Sequence, residues 1–310
     1  MVKSLINGLA QICQKRLEAV VLTVDDIEIY DALHDRFQER IINTGISESN
    51  AISMAAGLAS SGYLPYVIGG NTFMAYRAYE FLRDQICMQQ RNVKVIGVGA
   101  GLAISVLGQT QQATEDIGAL RVLPNLTVIT PATPTEVERT ICESVNIVGP
   151  AFVRVGRAAG EDFYGEHTEF HVDKVQEIKR GKDIAVFATG SIVCDVVSAD
   201  KELEKAGIDI GIYNVHTIKP LDIDTLQGLS KIYHKWISVE EHNVIGGLGG
   251  ALSEVLASQR NNVFLQRIGL QDTFANGWGT YNDIKERNHL GIQDIIQACV
   301  DMEKTDSGMD

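Results

Sequence analysis

Residues 40–59 read RIINTGISESNAISMAAGLA. The apolar residues 41–42 predict a short strand, the Asn-Thr-Gly turn at 43–45 ends it, and a helix of small side chains follows. Glu48 lies between two serines at the start of that helix. In open α/β sheets, ligands bind where a strand ends and a helix begins. Glu48 is therefore a candidate site residue, although a carboxylate at a helix N-terminus also has a purely stabilising explanation.

The composition limits the classes of partner. The chain has 310 residues, 45% apolar residues and a formal net charge of −13. This length predicts two domains, and the negative charge argues against a nucleic-acid partner or an anionic membrane. No apolar run reaches the roughly 20 residues of a membrane helix, and the N-terminus lacks signal-peptide features. The five cysteines form no CxxC pair, so we expect neither a disulfide framework nor a zinc site, and a cytoplasmic location.

Strand and helix patterns alternate through both halves of the chain. This alternation predicts an α/β fold with two mainly parallel sheets that carry helices on both faces. Near the middle of the chain the pattern weakens, and the sequence becomes polar with scattered aromatic residues. We therefore predict a first domain over residues 1–160, a linker over 161–180 and a second domain over 181–310.

The second domain has two polar features that follow a predicted strand. Glu240, Glu241 and His242 are residue types used for acid–base chemistry or metal binding, but their spacing alone favours a structural role. The glycine-rich IGGLGGAL at 245–252 lacks the GxGxxG spacing of a dinucleotide site. Close packing of a helix on the sheet is therefore the preferred explanation for these glycines.

Phe73 and Tyr76 follow the two glycines at 69–70, near the start of a predicted helix. Aromatic residues at helical spacing usually form a core stripe. Near the start of a helix their rings can also stack on a planar ligand. The residues alone leave both explanations open.

Several blocks of the sequence resemble the transketolase family. INTGISESNAISMAAGLASSGYLPYV, GGNTFMAYRAYEFLRDQI, VKVIGVGAG and TEDIGALRVLPNLTVITPATPTE resemble its pyrimidine-binding domain. IKPLD, ISVEEHNVIGGLGGALSEVL and RIGLQDTF resemble its C-terminal domain. The blocks follow the family's order and cover most of the chain. The resemblance implies a thiamine-diphosphate-type pyrimidine-binding domain followed by a transketolase C-terminal domain.

The resemblance also implies that this chain holds only part of an active site. In the family, a separate domain holds the diphosphate of thiamine diphosphate through a GDG…N motif that binds Mg²⁺. This sequence contains no GDG, so it resembles the C-terminal subunit of a split transketolase. The resemblance therefore implies no metal ligand in this chain, an N-terminal partner subunit that binds the diphosphate and Mg²⁺, and an α2β2 heterotetramer.

The resemblance gives roles to the candidate residues. In the family, the residue that matches Glu48 hydrogen-bonds N1′ of the aminopyrimidine, which favours the imino form of the 4′-amino group and lets it take a proton from the thiazolium C2. Phe73 and Tyr76 match aromatic residues that pack on the pyrimidine ring. The implied reaction is the transfer of a two-carbon ketol or acyl unit from a ketose or 2-oxo donor to an aldehyde-type acceptor.

The sequence departs from the family in the block that contacts the substrate. Gly99, Leu107 and Gln111 stand where a His, an Asp and a second His are usual, so we expect a non-standard substrate. Gln111 can still donate to a substrate oxygen, and Arg154 and Arg157 can hold an anionic tail. Two alternatives stay open: the β subunit of a 2-oxoacid dehydrogenase or decarboxylase, and a catalytically silent structural subunit.

Overall fold

The computed structural model describes residues 1–157, 160, 162–165 and 169–304. Its strands are β1 (Ala19–Thr23), β2 (Ile41–Asn43), β3 (Leu64–Gly70), β4 (Lys94–Val98), β5 (Thr127–Ile129), β6 (Ala151–Val155), β7 (Gln176–Lys179), β8 (Ile184–Thr189), β9 (Ile210–Asn214), β10 (Thr217–Lys219), β11 (Lys235–Asn243) and β12 (Phe264–Leu270). Its helices are α1 (Val2–Lys15), α2 (Ile27–Phe37), α3 (Glu48–Ser60), α4 (Tyr79–Phe81), α5 (Asp116–Arg121), α6 (Pro134–Glu143), α7 (Val193–Lys205), α8 (Ile223–Leu229), α9 (Leu248–Ala257), α10 (Tyr281–Arg287) and α11 (Ile292–Lys304). Two π-helical segments, Phe73–Arg77 and Leu82–Cys87, flank α4. Within these described ranges, no helix has both the length and the apolarity needed to cross a bilayer.

The strands form two mainly parallel sheets. The first has the order β10-β5-β6-β4-β3-β1-β2, and the second has the order β12-β11-β8-β9-β7. Among the described strands, only β10 and β7, each at a sheet edge, run antiparallel to their neighbours. The predicted α/β class with two mainly parallel sheets is confirmed.

Burial on both faces of the first sheet explains its apolar strands. All five residues of β1, AVVLT, are buried. Val20 and Leu22 pack in the cluster that includes α3, while Val21 packs in the cluster that includes α1 and α2. A strand covered on both faces by helices reads as a continuous apolar run and not as an alternating one.

The two sheets share one apolar cluster. Phe187 on β8 lies 4.3 Å from Trp236 on β11 and 5.3 Å from Tyr213 on β9, measured between ring centres. The same cluster contains Val128 on β5 and Phe152 on β6 of the first sheet. A packed apolar interior therefore joins the two halves of the chain.

The structure contains elements that the sequence pattern does not predict, namely α2, β7 and β10. β7 lies inside the predicted linker 161–180 and pairs with β9. β10 comes from the second half of the chain but pairs with β5 of the first sheet. The division into residues 1–160, 161–180 and 181–310 stays a prediction, and residues 161 and 166–168 of the linker lie outside the described residues.

The parallel order brings the candidate site residues to one edge of the first sheet. β2 ends before Glu48, β3 ends before Phe73, and β4 ends before Gly99. Because β1 to β4 are parallel neighbours, their carboxyl ends lie at the same edge. This is the edge at which α/β sheets bind ligands.

Candidate active site

The turn between β2 and α3 fixes the position of Glu48. Ser47 Oγ donates to the Thr44 carbonyl at 2.6 Å, and the Asn43 side-chain oxygen accepts from the Gly45 N–H at 2.8 Å. Gly45 has a φ of +70°, a backbone conformation that favours glycine. With the turn closed in this way, Glu48 begins α3 and is only 3% exposed.

The Glu48 carboxylate is paired with Arg77. Arg77 Nη1 lies 3.1 Å from each of the two carboxylate oxygens. The guanidinium carbon also lies 4.6 Å from the centre of the Phe73 ring. The Arg77 side chain is 54% exposed, so the guanidinium lies between the buried carboxylate and the surface. The sequence pattern does not single out Arg77, because its place on the segment that starts at Phe73 is the only signal it offers.

Tyr76 is anchored to Glu115. The Tyr76 hydroxyl donates to Glu115 Oε2 at 3.0 Å and accepts from the Glu115 N–H at 3.1 Å. Burial, followed by the negative charges of Asp116 and Glu115, raises the pKa of the Tyr76 hydroxyl. The hydroxyl therefore keeps its proton and holds the ring, while the half-buried Phe73 ring lies beside the Arg77–Glu48 pair.

Arg154 lies in a buried ion pair. Its Nε donates to Asp116 Oδ2 at 2.7 Å, and Asn71 Nδ2 donates to the same oxygen at 2.6 Å. Arg154 Nη2 donates to the carbonyls of Ala113 and Glu241, each at 3.0 Å. Burial works against the charge, but the charge of Asp116, its hydrogen bond and the charge of Glu241 together raise the pKa of the Arg154 guanidinium. With a side chain 4% exposed, Arg154 is occupied by protein acceptors, which favours a structural role over the predicted contact with an anionic substrate.

The other predicted substrate residues lie nearer the surface. Arg157 is exposed, with its guanidinium carbon 5.8 Å from the centre of the Tyr281 ring. Gln111 is half-buried, and its carbonyl accepts from the Thr72 hydroxyl at 3.0 Å. Leu107 is 63% exposed. Gln111 thus lies beside the segment with the candidate aromatic residues, whereas Arg157 lies beside α10 of the second half.

Glu240 closes the glycine-rich turn after β11. Its carboxylate accepts from the N–H groups of Leu248 and Gly249 at 2.6 and 2.9 Å, which satisfies the first turn of α9. A Cβ atom on Gly247 would lie 1.9 Å from the Glu240 carboxylate. Burial raises the pKa of Glu240, although the two N–H donors oppose the shift. Protein atoms fill the turn, in agreement with the packing explanation.

Glu241 and His242 bind the first half of the chain. Glu241 Oε2 accepts from the Leu102 N–H at 2.9 Å. His242 Nε2 accepts from the Gly118 N–H at 3.1 Å, so the ring proton is on Nδ1, which donates to the Asn243 carbonyl at 2.6 Å. Both side chains are buried. These contacts favour the structural explanation over acid–base chemistry. In the part of the chain that the structure describes, no group of three or more His, Cys, Asp or Glu side chains is arranged to hold a metal ion.

The fold and this site define an α/β protein with a buried carboxylate and an aromatic ring at the carboxyl edge of its first sheet. Residues 9–161 match the family described as "Transketolase, pyrimidine binding domain", and residues 173–279 match "Transketolase, C-terminal domain". The chain belongs to the transketolase family, as the sequence blocks predicted. Membership of this family implies dependence on thiamine diphosphate.

Proteins described as transketolase subunits are similar to this chain along most of its length. A solved structure described as "Split gene transketolase, inactive beta4 tetramer" is 30% identical, with a TM-score of 0.89 over 97% of both chains. An apulose-4-phosphate transketolase subunit of Actinobacillus succinogenes is 32% identical over 83% of this chain and 82% of the relative. A 6-deoxy-6-sulfo-D-fructose transketolase subunit of Clostridium sp. is 30% identical over 84% of this chain and 80% of the relative.

Proposed function

We propose that this chain is the C-terminal subunit of a two-component transketolase, which transfers a two-carbon ketol unit from a ketose or 2-oxo donor to an aldehyde-type acceptor. The observation that carries the proposal is the Glu48 site. A carboxylate that is 3% exposed lies near an aromatic ring at the carboxyl edge of a parallel sheet. In the transketolase family, a glutamate at this place acts on the aminopyrimidine of thiamine diphosphate.

The residues at this site fit an aminopyrimidine. The flat face of Phe73 suits stacking against a flat ring, and the buried Glu48 carboxylate suits a ring nitrogen that carries a proton. The guanidinium of Arg77 is itself flat and cationic. It lies 4.6 Å from the centre of the Phe73 ring, with Nη1 3.1 Å from the carboxylate. Glu48 and Phe73 together therefore accept a planar, positively charged group.

Each residue has a separate task in the proposed reaction. Thiamine diphosphate, when bound, supplies the electron sink for cleavage of the bond next to the donor carbonyl. Glu48 binds N1′ of the pyrimidine ring and shares a proton with it. Phe73 and Tyr76 pack on the ring, and the bond from Tyr76 to Glu115 at 3.0 Å steadies the segment that carries both aromatic residues. The burial of Glu48 keeps water away from the shared proton.

The proposal assigns the diphosphate and Mg²⁺ to an N-terminal partner subunit, in a cytoplasmic α2β2 heterotetramer. Support comes from the relatives described as subunits and from the neighbour described as an inactive tetramer of β chains. Apolar side chains at this edge also support a partner. Ile46, two residues before Glu48, is 70% exposed, and Val106 and Leu107 are 64% and 63% exposed. A partner subunit that docks at this edge would cover these three side chains.

The proposed substrate is a sugar with an anionic end. Two relatives are named for a sugar phosphate and for a sulfo sugar. Arg157 is exposed and can bind such a group, while Gln111 can donate to a substrate hydroxyl. Arg154 contributes indirectly, because its bond to the Ala113 carbonyl at 3.0 Å holds the end of the loop that contains Gln111.

The test is Glu48→Gln in this chain purified together with its partner. Glutamine keeps the shape of the side chain but cannot share a proton with N1′. Cofactor binding should therefore survive, while exchange of the C2 proton for deuterium falls by about a hundredfold or more. As a matched control, Glu254→Gln removes a carboxylate that is 66% exposed and should leave exchange unchanged. Unchanged exchange in Glu48→Gln would remove Glu48 from the mechanism and favour a silent structural subunit.

A second titration tests the dependence on a partner. Thiamine diphosphate and Mg²⁺ are titrated into this chain alone and into the assembled pair. The pair should bind the cofactor well and the chain alone poorly, because the proposal places the diphosphate contacts on the other subunit. Tight, Mg²⁺-dependent binding by this chain alone would contradict the two-component proposal.

A further inference from the structure

Arg77 contacts both groups that the proposed function assigns to the aminopyrimidine. Its Nη1 lies 3.1 Å from each oxygen of Glu48, and its guanidinium carbon lies 4.6 Å from the centre of the Phe73 ring. A guanidinium is flat, delocalised and cationic, donates N–H groups to carboxylates and stacks on aromatic faces. A pyrimidine ring protonated at N1′ shares these properties. The two groups therefore compete for one carboxylate and one ring face.

We propose that Arg77 is a placeholder for the aminopyrimidine ring: its guanidinium holds Glu48 and Phe73 until the ring displaces it. This inference rests on the proposed function of the Glu48 site. It assigns Arg77 a positioning role, because the residue acts through Glu48. The pairing keeps the carboxylate in place before the cofactor binds, and the exchange of one planar cation for another completes the site.

The exposure of the two side chains explains why the exchange can occur. Glu48 is 3% exposed, and a buried carboxylate without a partner is strongly unfavourable, so Arg77 leaves only when another donor arrives. Arg77 is 54% exposed, so its charge returns to water easily. Among the described residues, the two carboxylate oxygens of Glu48 are the acceptors for the side-chain hydrogen bonds of Arg77. Arg154 is different, because it is 4% exposed and bonded to Asp116 and two carbonyls.

The test removes the guanidinium from the 310-residue chain, studied without its partner. Arg77→Met keeps an unbranched side chain of similar length but has no donor for Glu48. The probe is 4-amino-5-hydroxymethyl-2-methylpyrimidine, titrated by calorimetry or NMR. We expect Arg77→Met to bind the probe about tenfold more tightly than the unmodified chain. The reason is that the charged hydrogen bond from Arg77 no longer competes with the probe for the Glu48 carboxylate. Equal affinity in the two proteins would overturn the proposal.

Two further variants make the result specific. Arg83 lies on the neighbouring helical segment, is 59% exposed and pairs with Asp84, so Arg83→Met should bind the probe as weakly as the unmodified chain. Glu48→Gln combined with Arg77→Met should lose the part of the gain that depends on the carboxylate. A gain of the same size in this double variant would come from elsewhere and would overturn the proposal.

A measurement on the unmodified pair does not depend on the folding of any variant. The guanidinium N–H signals of Arg77 are followed by ¹⁵N NMR, with hydrogen exchange as the readout. Binding of thiamine diphosphate and Mg²⁺ should release Arg77 to solvent and speed this exchange. Slow exchange that persists with bound cofactor would overturn the placeholder and leave the proposed function intact. Failure of Glu48→Gln to slow C2 exchange would instead overturn the proposed function.

Discussion

Arg154 on β6 and Asp116 at the start of α5 form an ion pair with 2.7 Å between Nε and Oδ2 and with side chains only 4% and 0% exposed. Arg154 also donates to the carbonyl of Glu241 on β11 at 3.0 Å. Asn71, which follows β3, donates to the same Asp116 oxygen at 2.6 Å. The buried Arg154–Asp116 pair therefore joins the first sheet, the second sheet and the strand end that precedes the candidate aromatic residues.

Removing the charge of Asp116 should destabilise the whole chain. Asp116→Asn keeps the shape of the side chain but leaves Arg154 as a buried charge without a counter-charge. We expect a loss of about 3–5 kcal/mol in the free energy of unfolding, measured by urea titration. The matched control is Glu254→Gln, which breaks a pair with Arg121 at 2.6 Å in which the carboxylate is 66% exposed. Glu254→Gln should lower the free energy of unfolding by no more than about 1 kcal/mol. Equal losses in the two variants would show that burial does not strengthen the effect of removing one partner.

His242 should affect stability but not the chemistry. His242→Phe leaves the Gly118 N–H without the acceptor that now lies at 3.1 Å and the Asn243 carbonyl without its donor at 2.6 Å. We expect a loss of about 1–3 kcal/mol in the free energy of unfolding, and an unchanged pH profile of kcat in the assembled pair. His234→Phe, at an exposed histidine, is the control and should change neither quantity. A pH profile that loses one limb in His242→Phe would show an acid–base role.

Lys94 on β4 should make stability depend on pH. Its Nζ donates to Asn92 Oδ1 at 2.7 Å and to the carbonyls of Ile147 and Gly149 at 2.6 and 2.7 Å, and burial lowers the pKa of Lys94 to about 7. The unfolded lysine has a pKa of about 10.4. Between these values the unfolded chain binds a proton that the folded chain has released, so stability rises with pH. Below about pH 7 both states are protonated, and the contribution is constant.

The comparison for Lys94 is with Lys94→Met, which has no titratable group. From about pH 7 to about pH 9, the unfolding free energy of the unmodified chain should rise relative to the variant by up to roughly 1.4 kcal/mol per pH unit. Urea titrations at several pH values measure this difference. A difference that stays flat over the whole range would show that the three oxygen acceptors keep the amine charged in the folded chain.

The sequence predicts those features that depend on local pattern. The strand, turn and small-residue helix around Glu48 follow from residues that are adjacent in the chain, and a turn closed by Asn43 and Ser47 has a local chemical signature. The apolar run of β1 likewise predicts a strand in a parallel sheet. The order of the sequence blocks predicts the family, because each block is a local pattern and together the blocks cover most of the chain.

Contacts between distant residues are not predicted by these patterns. Arg154 lies in AFVRV, a strand that is buried throughout, and its partner Asp116 is 38 residues earlier. Nothing in the spacing distinguishes an arginine that binds a substrate from one that neutralises a buried acid. The pairing of Arg77 with Glu48, 29 residues apart, depends in the same way on how β2 and β3 are arranged in the sheet.

The choice of acceptor should respond to the loop that follows β4. Leu107 is 63% exposed and Gln111 is half-buried, so both can be replaced without disturbing the core. Leu107→Asp with Gln111→His restores an acceptor for a sugar hydroxyl and an imidazole that can relay a proton, so kcat/KM on common sugar phosphates should rise about tenfold or more in the assembled pair. The control is Val106→Asp with Gln111→His, which places the same charge on a neighbour that is 64% exposed. Equal activities of the two double variants would show that the acceptor is chosen elsewhere, by Arg157 or by the partner subunit.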